Sequence, residues 1–126
     1  MKYLLDTHAA IWALDDKNKL SDAARRVIDD VSLLLFVSIV SAWEIAIKIS
    51  IGRLKFNGGS EAFLKKMKTN GVELLPLNGS QIKYIESLPM FHRDPFDRLI
   101  VAAAVVNNMT IVTADENICK YAPVVW

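Results

Sequence analysis

Short apolar runs alternate along this chain with longer amphipathic stretches, and this alternation limits its fold more than any other feature. The run Leu33–Ser38 is apolar until its last residue, as expected for a strand buried on both faces of a sheet. Runs at Lys2–Leu5, Val72–Leu75 and Thr110–Thr113 predict further strands, and Val124–Val125 predicts a short edge strand. Strands that alternate with helices favour an α/β fold with a mostly parallel central sheet.

The stretches between these runs carry residues typical of helix starts and ends. Ser21 precedes an apolar stripe and is predicted to cap a helix, and Ser41 is predicted to open another that Gly52 ends. Asp94 and Pro95 predict the start of the last long helix, with the aspartate as N-cap and proline in the first helical position. Two further helices are predicted, one over 60–70 and a short one over 82–88 that Pro89 ends.

The length and charge of the chain limit what it can bind. With 126 residues there is room for one core, so residues 1–126 are expected to form a single domain. Fifteen Lys and Arg against fourteen Asp and Glu give a net charge of +1, so no global basic field attracts nucleic acid. The hydrophobic share of 52% is high for a small domain and predicts a surface covered by a partner or a second copy.

The sequence also predicts where the protein is found. A lone cysteine, Cys119, cannot form an internal disulfide, which fits a reducing cytoplasm. Asp6 interrupts the apolar start before a signal-peptide core can form. The longest uncharged stretches carry polar residues and fall short of the roughly 20 apolar residues that span a bilayer, so no membrane segment is expected.

Four acidic residues are placed where open α/β sheets bind ligands. Asp6 follows the first predicted strand, Glu44 follows the second, and Asp115 lies two residues after Thr113 of another. Asp97 joins them if its helix starts at the same edge. Carboxylates that converge raise one another's pKa unless a cation lies between them, and Mg²⁺ takes one or two carboxylates together with water and phosphate oxygens. The pattern therefore favours a metal site for phosphodiester hydrolysis.

Each acid also has a purely structural interpretation. Ser41 and Glu44 have the spacing of a capping box, and Asp97 could complement a helix dipole. Asp6 and Asp115 could be turn residues. Taken together, four such acids at one predicted edge favour the metal site.

Four local motifs around these acids carry a family resemblance. They are LLDTHAAIW (4–12), SAWEIAIK (41–48) followed by Gly52-Arg53-Leu54, HRDPFDRLIVAAA (92–104) and TADE (113–116). In this order they resemble the motifs of PIN-domain proteins, and in particular of the VapC-type toxins of toxin–antitoxin pairs. The resemblance runs from about residue 2 to the end of the chain.

The resemblance implies a fold, an activity and partners. The fold would be a three-layer α/β/α sandwich, and the activity an endoribonuclease that hydrolyses RNA with a water activated by Mg²⁺ or Mn²⁺. A small cognate antitoxin and homodimerisation are expected with it. Matched by motif, Asp6 and Asp97 would bind the metal directly, while Glu44 and Asp115 would bind a second ion or orient water.

Other residues near the acids are weaker candidates. Thr7 and Thr113 are predicted to position water or the scissile phosphate, and His92 and Arg93 to contact phosphate. His8 could contact substrate or a ligand carboxylate, but a structural role is favoured. The remaining interpretations are an ion pair of Lys48 with Glu44, and a place in the core or under a partner for Trp12 and Trp43.

Three other functions compete with the ribonuclease. A haloacid-dehalogenase-like phosphatase would need a second aspartate two residues after Asp6, where this chain has His8. The main alternative is a PIN fold that only binds RNA or protein and has no catalytic activity. The presence of all four acids weighs against it. A metal nuclease that acts on DNA is the third.

Overall fold

The computed structural model describes residues 1–91 and 93–126. Within them lie five β-strands, six α-helices and two short 3-10 helices, at 17–19 and 118–120. In chain order the strands and α-helices are β1 (Lys2–Leu5), α1 (Thr7–Asp15), α2 (Asp22–Asp29), β2 (Leu34–Ser38), α3 (Ile39–Ser50), α4 (Gly59–Thr69), β3 (Val72–Leu75), α5 (Gly79–Ile85), α6 (Pro95–Val106), β4 (Thr110–Val112) and β5 (Val124–Val125).

The five strands form one parallel sheet in the order β3-β2-β1-β4-β5. The central strand β1 places Leu4 beside Phe36 of β2 and Ile111 of β4. This confirms the predicted parallel α/β sheet. Strands β2 and β3 lie on one side of β1, and β4 and β5 lie on the other. The crevice between the carboxyl ends of β1 and β4 is therefore the position where sheets of this kind bind ligands.

Two hydrophobic cores cover the two faces of the sheet, which confirms the three layers. Successive side chains of a strand point to opposite faces. Leu5 accordingly belongs to the core that includes residues of α1 to α4, while Leu4 belongs to the core formed with α6 and the end of α5. Both leucines have no exposed surface.

Helix α3 begins earlier than predicted. Its N-cap is Ser38, whose hydroxyl accepts a hydrogen bond from the Val40 amide at 3.1 Å. The prediction that Ser41 opens the helix is wrong, because the apolar residues after Ser38 continue the run of β2 in the sequence although they already lie in α3. Glu44 consequently lies in the second turn, and the capping-box interpretation fails with it.

The other predicted caps are confirmed. Ser21 accepts from the Ala24 amide at 3.1 Å at the start of α2. Asp94 accepts from the Phe96 amide at 2.9 Å, with Pro95 at the first position of α6. The bounds predicted for the short helix are wrong: α5 begins and ends three residues earlier, at Gly79 and Ile85, so Pro89 does not end it. Leu88 packs as a buried residue beyond the helix. None of the helices described is long and apolar enough to cross a membrane.

Candidate active site

A cavity of about 260 Å³ opens at the carboxyl edge of the sheet and gathers the four predicted acids. Five carboxylates line it, against one lysine and one histidine, so the cavity is strongly acidic. The lining residues are Asp6, His8, Trp12, Glu44, Lys48, Asp94, Asp97, Ala114 and Asp115.

Asp6 connects the central strand to the cavity. It follows β1 directly and caps α1, with Oδ1 accepting from the Ala9 amide at 2.7 Å, while the Thr113 hydroxyl donates to Oδ2. Burial raises the pKa of Asp6 above its ordinary value of 3.8, although the bonds from Thr113 and Ala9 and the nearby His8 act in the opposite direction. Glu44 adds to the rise in pKa through like-charge repulsion. A cation bound beside Asp6 would favour its ionised form.

Glu44 is held from two sides. Its Oε1 accepts from the Thr7 hydroxyl at 2.6 Å, and its Oε2 forms an ion pair with Lys48 Nζ at 2.6 Å. Thr7 also lies 2.9 Å from the hydroxyl of Ser41, one turn before Glu44 on α3. The glutamate is 3% exposed, so this carboxylate is fixed rather than mobile, and the predicted Glu44–Lys48 pair is confirmed.

The remaining acids come from α6 and from the segment after β4. Asp97 lies in the first turn of α6, where its amide donates to the Asp94 carboxylate at 3.2 Å. Asp115 accepts from the Asn117 amide at 2.8 Å, and its own amide donates to the Thr113 hydroxyl at 3.0 Å. Thr113 thereby links Asp6 to Asp115 across the crevice between β1 and β4.

The donor set fits a hard divalent cation. Carboxylate oxygens are the ligands that Mg²⁺ and Mn²⁺ prefer. Within residues 1–91 and 93–126, no three His, Cys, Asp or Glu side chains are grouped closely enough to hold one ion by themselves. Mg²⁺ usually takes one or two carboxylates with water in its other positions, and the carboxylates that line the cavity are ligands of the type it takes.

The weaker candidates divide into three groups. Thr7 and Thr113 are buried and do not line the cavity, and their hydroxyls contact Glu44 and Asp6. Arg93 is exposed and is not a lining residue. His92 lies outside the described residues.

The sequence favoured a structural role for His8 over a contact with substrate, and a place in the core or under a partner for Trp12, yet both line the cavity. Both lie on α1, four residues apart and therefore on one face of the helix that Asp6 caps. That spacing, in the helix after Asp6, was the available indication in the sequence that both side chains could lie near the acids. Lys48 and Asp94 also line the cavity, although the sequence explained them as an ion-pair partner and an N-cap.

Residues 3–123 match the family model described as the PIN domain. The chain belongs to the PIN-domain family. No sequence among curated proteins matches it closely enough to count as a relative.

Solved structures share its fold over nearly the whole length. A chain of VapBC2 from Rickettsia felis, solved bound to a DNA fragment from its promoter, is similar with a TM-score of 0.73 and 16% identity, over 99% of this chain and 98% of that chain. A chain of VapBC-1 from nontypeable Haemophilus influenzae has a TM-score of 0.70 and 20% identity, over 99% and 97%. A chain of a toxin–antitoxin complex from Klebsiella pneumoniae has a TM-score of 0.65 and 12% identity, over 98% of this chain and 96% of that chain.

Proposed function

We propose that this PIN-domain chain is a metal-dependent endoribonuclease and the toxin of a toxin–antitoxin pair. The observation that carries the proposal is the gathering of Asp6, Glu44, Asp97 and Asp115 in one acidic cavity at the crevice of a PIN-domain sheet. A fold kept only for binding has no need of these acids around one cavity, and burial of the Asp6 carboxylate near Glu44 disfavours its charged form.

Asp6 and Asp97 would hold the Mg²⁺ or Mn²⁺ ion. When bound, the ion would lower the pKa of a water molecule and stabilise negative charge on the phosphoryl oxygens. Thr113 and the Ala9 amide fix the two oxygens of Asp6, and Asp94 caps the helix that carries Asp97. This support fixes the Asp6 carboxylate and the backbone that carries Asp97 before an ion binds.

Glu44 and Asp115 would orient water or hold a second ion. Glu44 is held by Thr7 and Lys48, and Lys48 also lines the cavity. Its ammonium group is therefore placed to offset part of the acidic charge that a phosphodiester meets on entering. The hydroxyls of Thr7 and Thr113 would act on the reaction through the carboxylates they contact.

The partners follow from the toxin part of the proposal. The similar structures come from proteins described as VapBC and as a toxin–antitoxin complex, so a small antitoxin protein is the expected inhibitor here. Large exposed apolar side chains give such a partner, or a second copy in a homodimer, surface to cover. Among them are Trp43, Ile51, Leu74, Ile82 and Phe91.

Cleavage of a mixed panel of RNAs tests the enzyme. The purified protein is assayed with Mg²⁺, with Mn²⁺ and with EDTA, beside Asp6→Asn and Asp97→Asn. Asp22→Asn, an exposed acid at the start of α2, is the matched control. We expect cutting that needs the metal, that both cavity variants lose and that the control keeps. A folded, antitoxin-free protein that cuts no RNA in either metal would favour the silent binding module, and cutting confined to DNA would favour the DNA nuclease.

Expression in a bacterial host tests the toxin and its partners. We expect expression of the wild type alone to arrest growth, and expression of Asp6→Asn to be tolerated. Co-expression with the gene that precedes or follows it should restore growth and yield a co-purified small protein. Growth unaffected by an active nuclease would contradict the toxin role, and a monomer by light scattering would contradict the homodimer.

A further inference from the structure

One wall of the acidic cavity is aromatic. His8 and Trp12 line it together, with ring centres 5.6 Å apart and ring planes inclined by 41°. His8 is exposed and Trp12 is half-buried. In the proposed function the acids of the cavity would contact metal or phosphate, so this wall is left without a role.

The Trp12 ring is held in place by side chains that are distant in the sequence. Trp126, at the other end of the described chain, packs against it with ring centres 5.8 Å apart, and Lys19 Nζ lies 6.0 Å from the ring centre. A large ring fixed on several sides loses little conformational entropy when a ligand stacks beside it. The tryptophan is also part of the packing around the first core, which keeps its orientation constant.

The lining of this cavity offers little electrostatic attraction for a polynucleotide. The whole chain has a net charge of +1, and the cavity has five carboxylates against Lys48 and His8. Most affinity for nucleic acid normally comes from basic residues on phosphates. An acidic site that takes a nucleic acid therefore needs an attraction that does not depend on net charge, and stacking of bases on aromatic side chains supplies one.

From this geometry we infer that His8 and Trp12 form a nucleobase subsite, where the base of a nucleotide next to the scissile phosphate stacks. The inference rests on the proposed function, since it places the base beside the acids that would act on the phosphate. Lys19, whose Nζ lies 6.0 Å from the centre of the Trp12 ring, would contact the phosphate of the following nucleotide. Stacking is tolerant of base identity, so the subsite requires a base without selecting one strongly.

Binding of a short single-stranded RNA and of matched copies that each lack one base tests the subsite. Fluorescence anisotropy in EDTA measures the affinities without metal-dependent cutting. We expect wild-type protein to bind the complete RNA more tightly than the copy abasic at one particular position, by roughly ten-fold for one stacked base. His8→Ala should reduce that ratio, and Trp12→Leu should remove most of it.

Three variants serve as controls. Trp43→Leu removes another half-exposed tryptophan that pairs with Phe96 and does not line the cavity, so the ratio should stay at the wild-type value. Lys19→Met should weaken complete and abasic RNA alike and lower the salt dependence of binding by about one phosphate contact. Because His8 is exposed, His8→Ala is expected to fold even if Trp12→Leu does not.

The outcomes separate this inference from the proposed enzyme. Equal affinity for complete and abasic RNA, no RNA binding at all, or a ratio that His8→Ala leaves unchanged would each overturn the subsite. Metal-dependent cleavage with no base preference would leave the nuclease standing without it. A base preference lost in His8→Ala, in a protein that cuts nothing, would support the subsite and refute the nuclease.

Discussion

At the scale of single residues, Asp6 combines two roles that oppose each other. Its carboxylate caps α1 through the Ala9 amide, which lowers its pKa, while burial raises that pKa, with a smaller contribution from Glu44. The folded protein therefore binds a proton at Asp6 more tightly than the unfolded chain does. Stability that depends on this proton is present below the unfolded-state pKa and is lost as pH rises through the higher folded-state pKa.

Asp6→Asn should remove this pH dependence in the absence of metal. Asparagine has no charge to desolvate and is an equally good N-cap. We expect urea unfolding in EDTA to show a wild-type free energy of unfolding that falls as pH rises above the ordinary value of 3.8, and a flatter curve for the variant. The variant should be at least as stable at neutral pH while losing cleavage. Superimposable curves would contradict the prediction, and Asp22→Asn controls for the loss of one acid.

The Glu44–Lys48 pair should stabilise the fold because the carboxylate of Glu44 is buried and Lys48 is its cationic partner. The side chain of Glu44 is 4% exposed and that of Lys48 is 34% exposed. Lys48→Met leaves a buried carboxylate without its cation, and we expect a loss of about 1–3 kcal/mol in the free energy of unfolding. The double variant Glu44→Gln/Lys48→Met should recover part of it.

A surface pair provides the control for that experiment. Lys17 and Asp29 lie 2.8 Å apart but are both about half exposed, so Lys17→Met should change stability little. Equal effects of Lys48→Met and Lys17→Met would mean that burial of Glu44 does not matter to the pair.

At the scale of elements, the start of α3 sets the position of Glu44. Ser38 is fully buried, ends β2 and caps α3 in one residue. Ser38→Ala should cost about 1 kcal/mol of stability by circular-dichroism melting and also lower cleavage, since the first turn of α3 leads to Glu44. Ser21→Ala removes the same type of cap from α2, which contributes no residue to the cavity. It should cost similar stability and leave the activity of folded protein unchanged.

The same element shows how far the sequence could be interpreted. Strands were predictable because the apolar runs are short and bounded. Ser21 was a recognisable cap because an apolar helical stripe follows it, and Asp94 because proline follows it. Ser38 was not recognised because the apolar run continues into α3 without a break. The contact between Trp12 and Trp126 had no sequence indication at all, since it joins the first helix to the last residue through the fold.

At the scale of the whole molecule, the cavity exists only because the sheet brings distant segments together. Asp6 follows the central strand, Glu44 lies in a helix of one outer layer, and Asp97 begins a helix of the other. These segments are far apart in the unfolded chain. An ion held by the acids should therefore bind almost exclusively to the folded state. Its affinity can then be measured as an increase in the free energy of unfolding.

We expect Mg²⁺ or Mn²⁺ to raise the melting temperature of the wild-type protein with increasing concentration. At a free concentration one hundred times the dissociation constant, the linkage relation gives about 2.7 kcal/mol of added stability. The increase should be larger at higher pH, where the ion competes with fewer protons for the buried Asp6. Asp6→Asn and Asp97→Asn should lose most of it, whereas Asp22→Asn should keep it. A melting temperature that neither ion changes would contradict a metal site at the four carboxylates. It would favour the binding module over the metal-dependent nuclease.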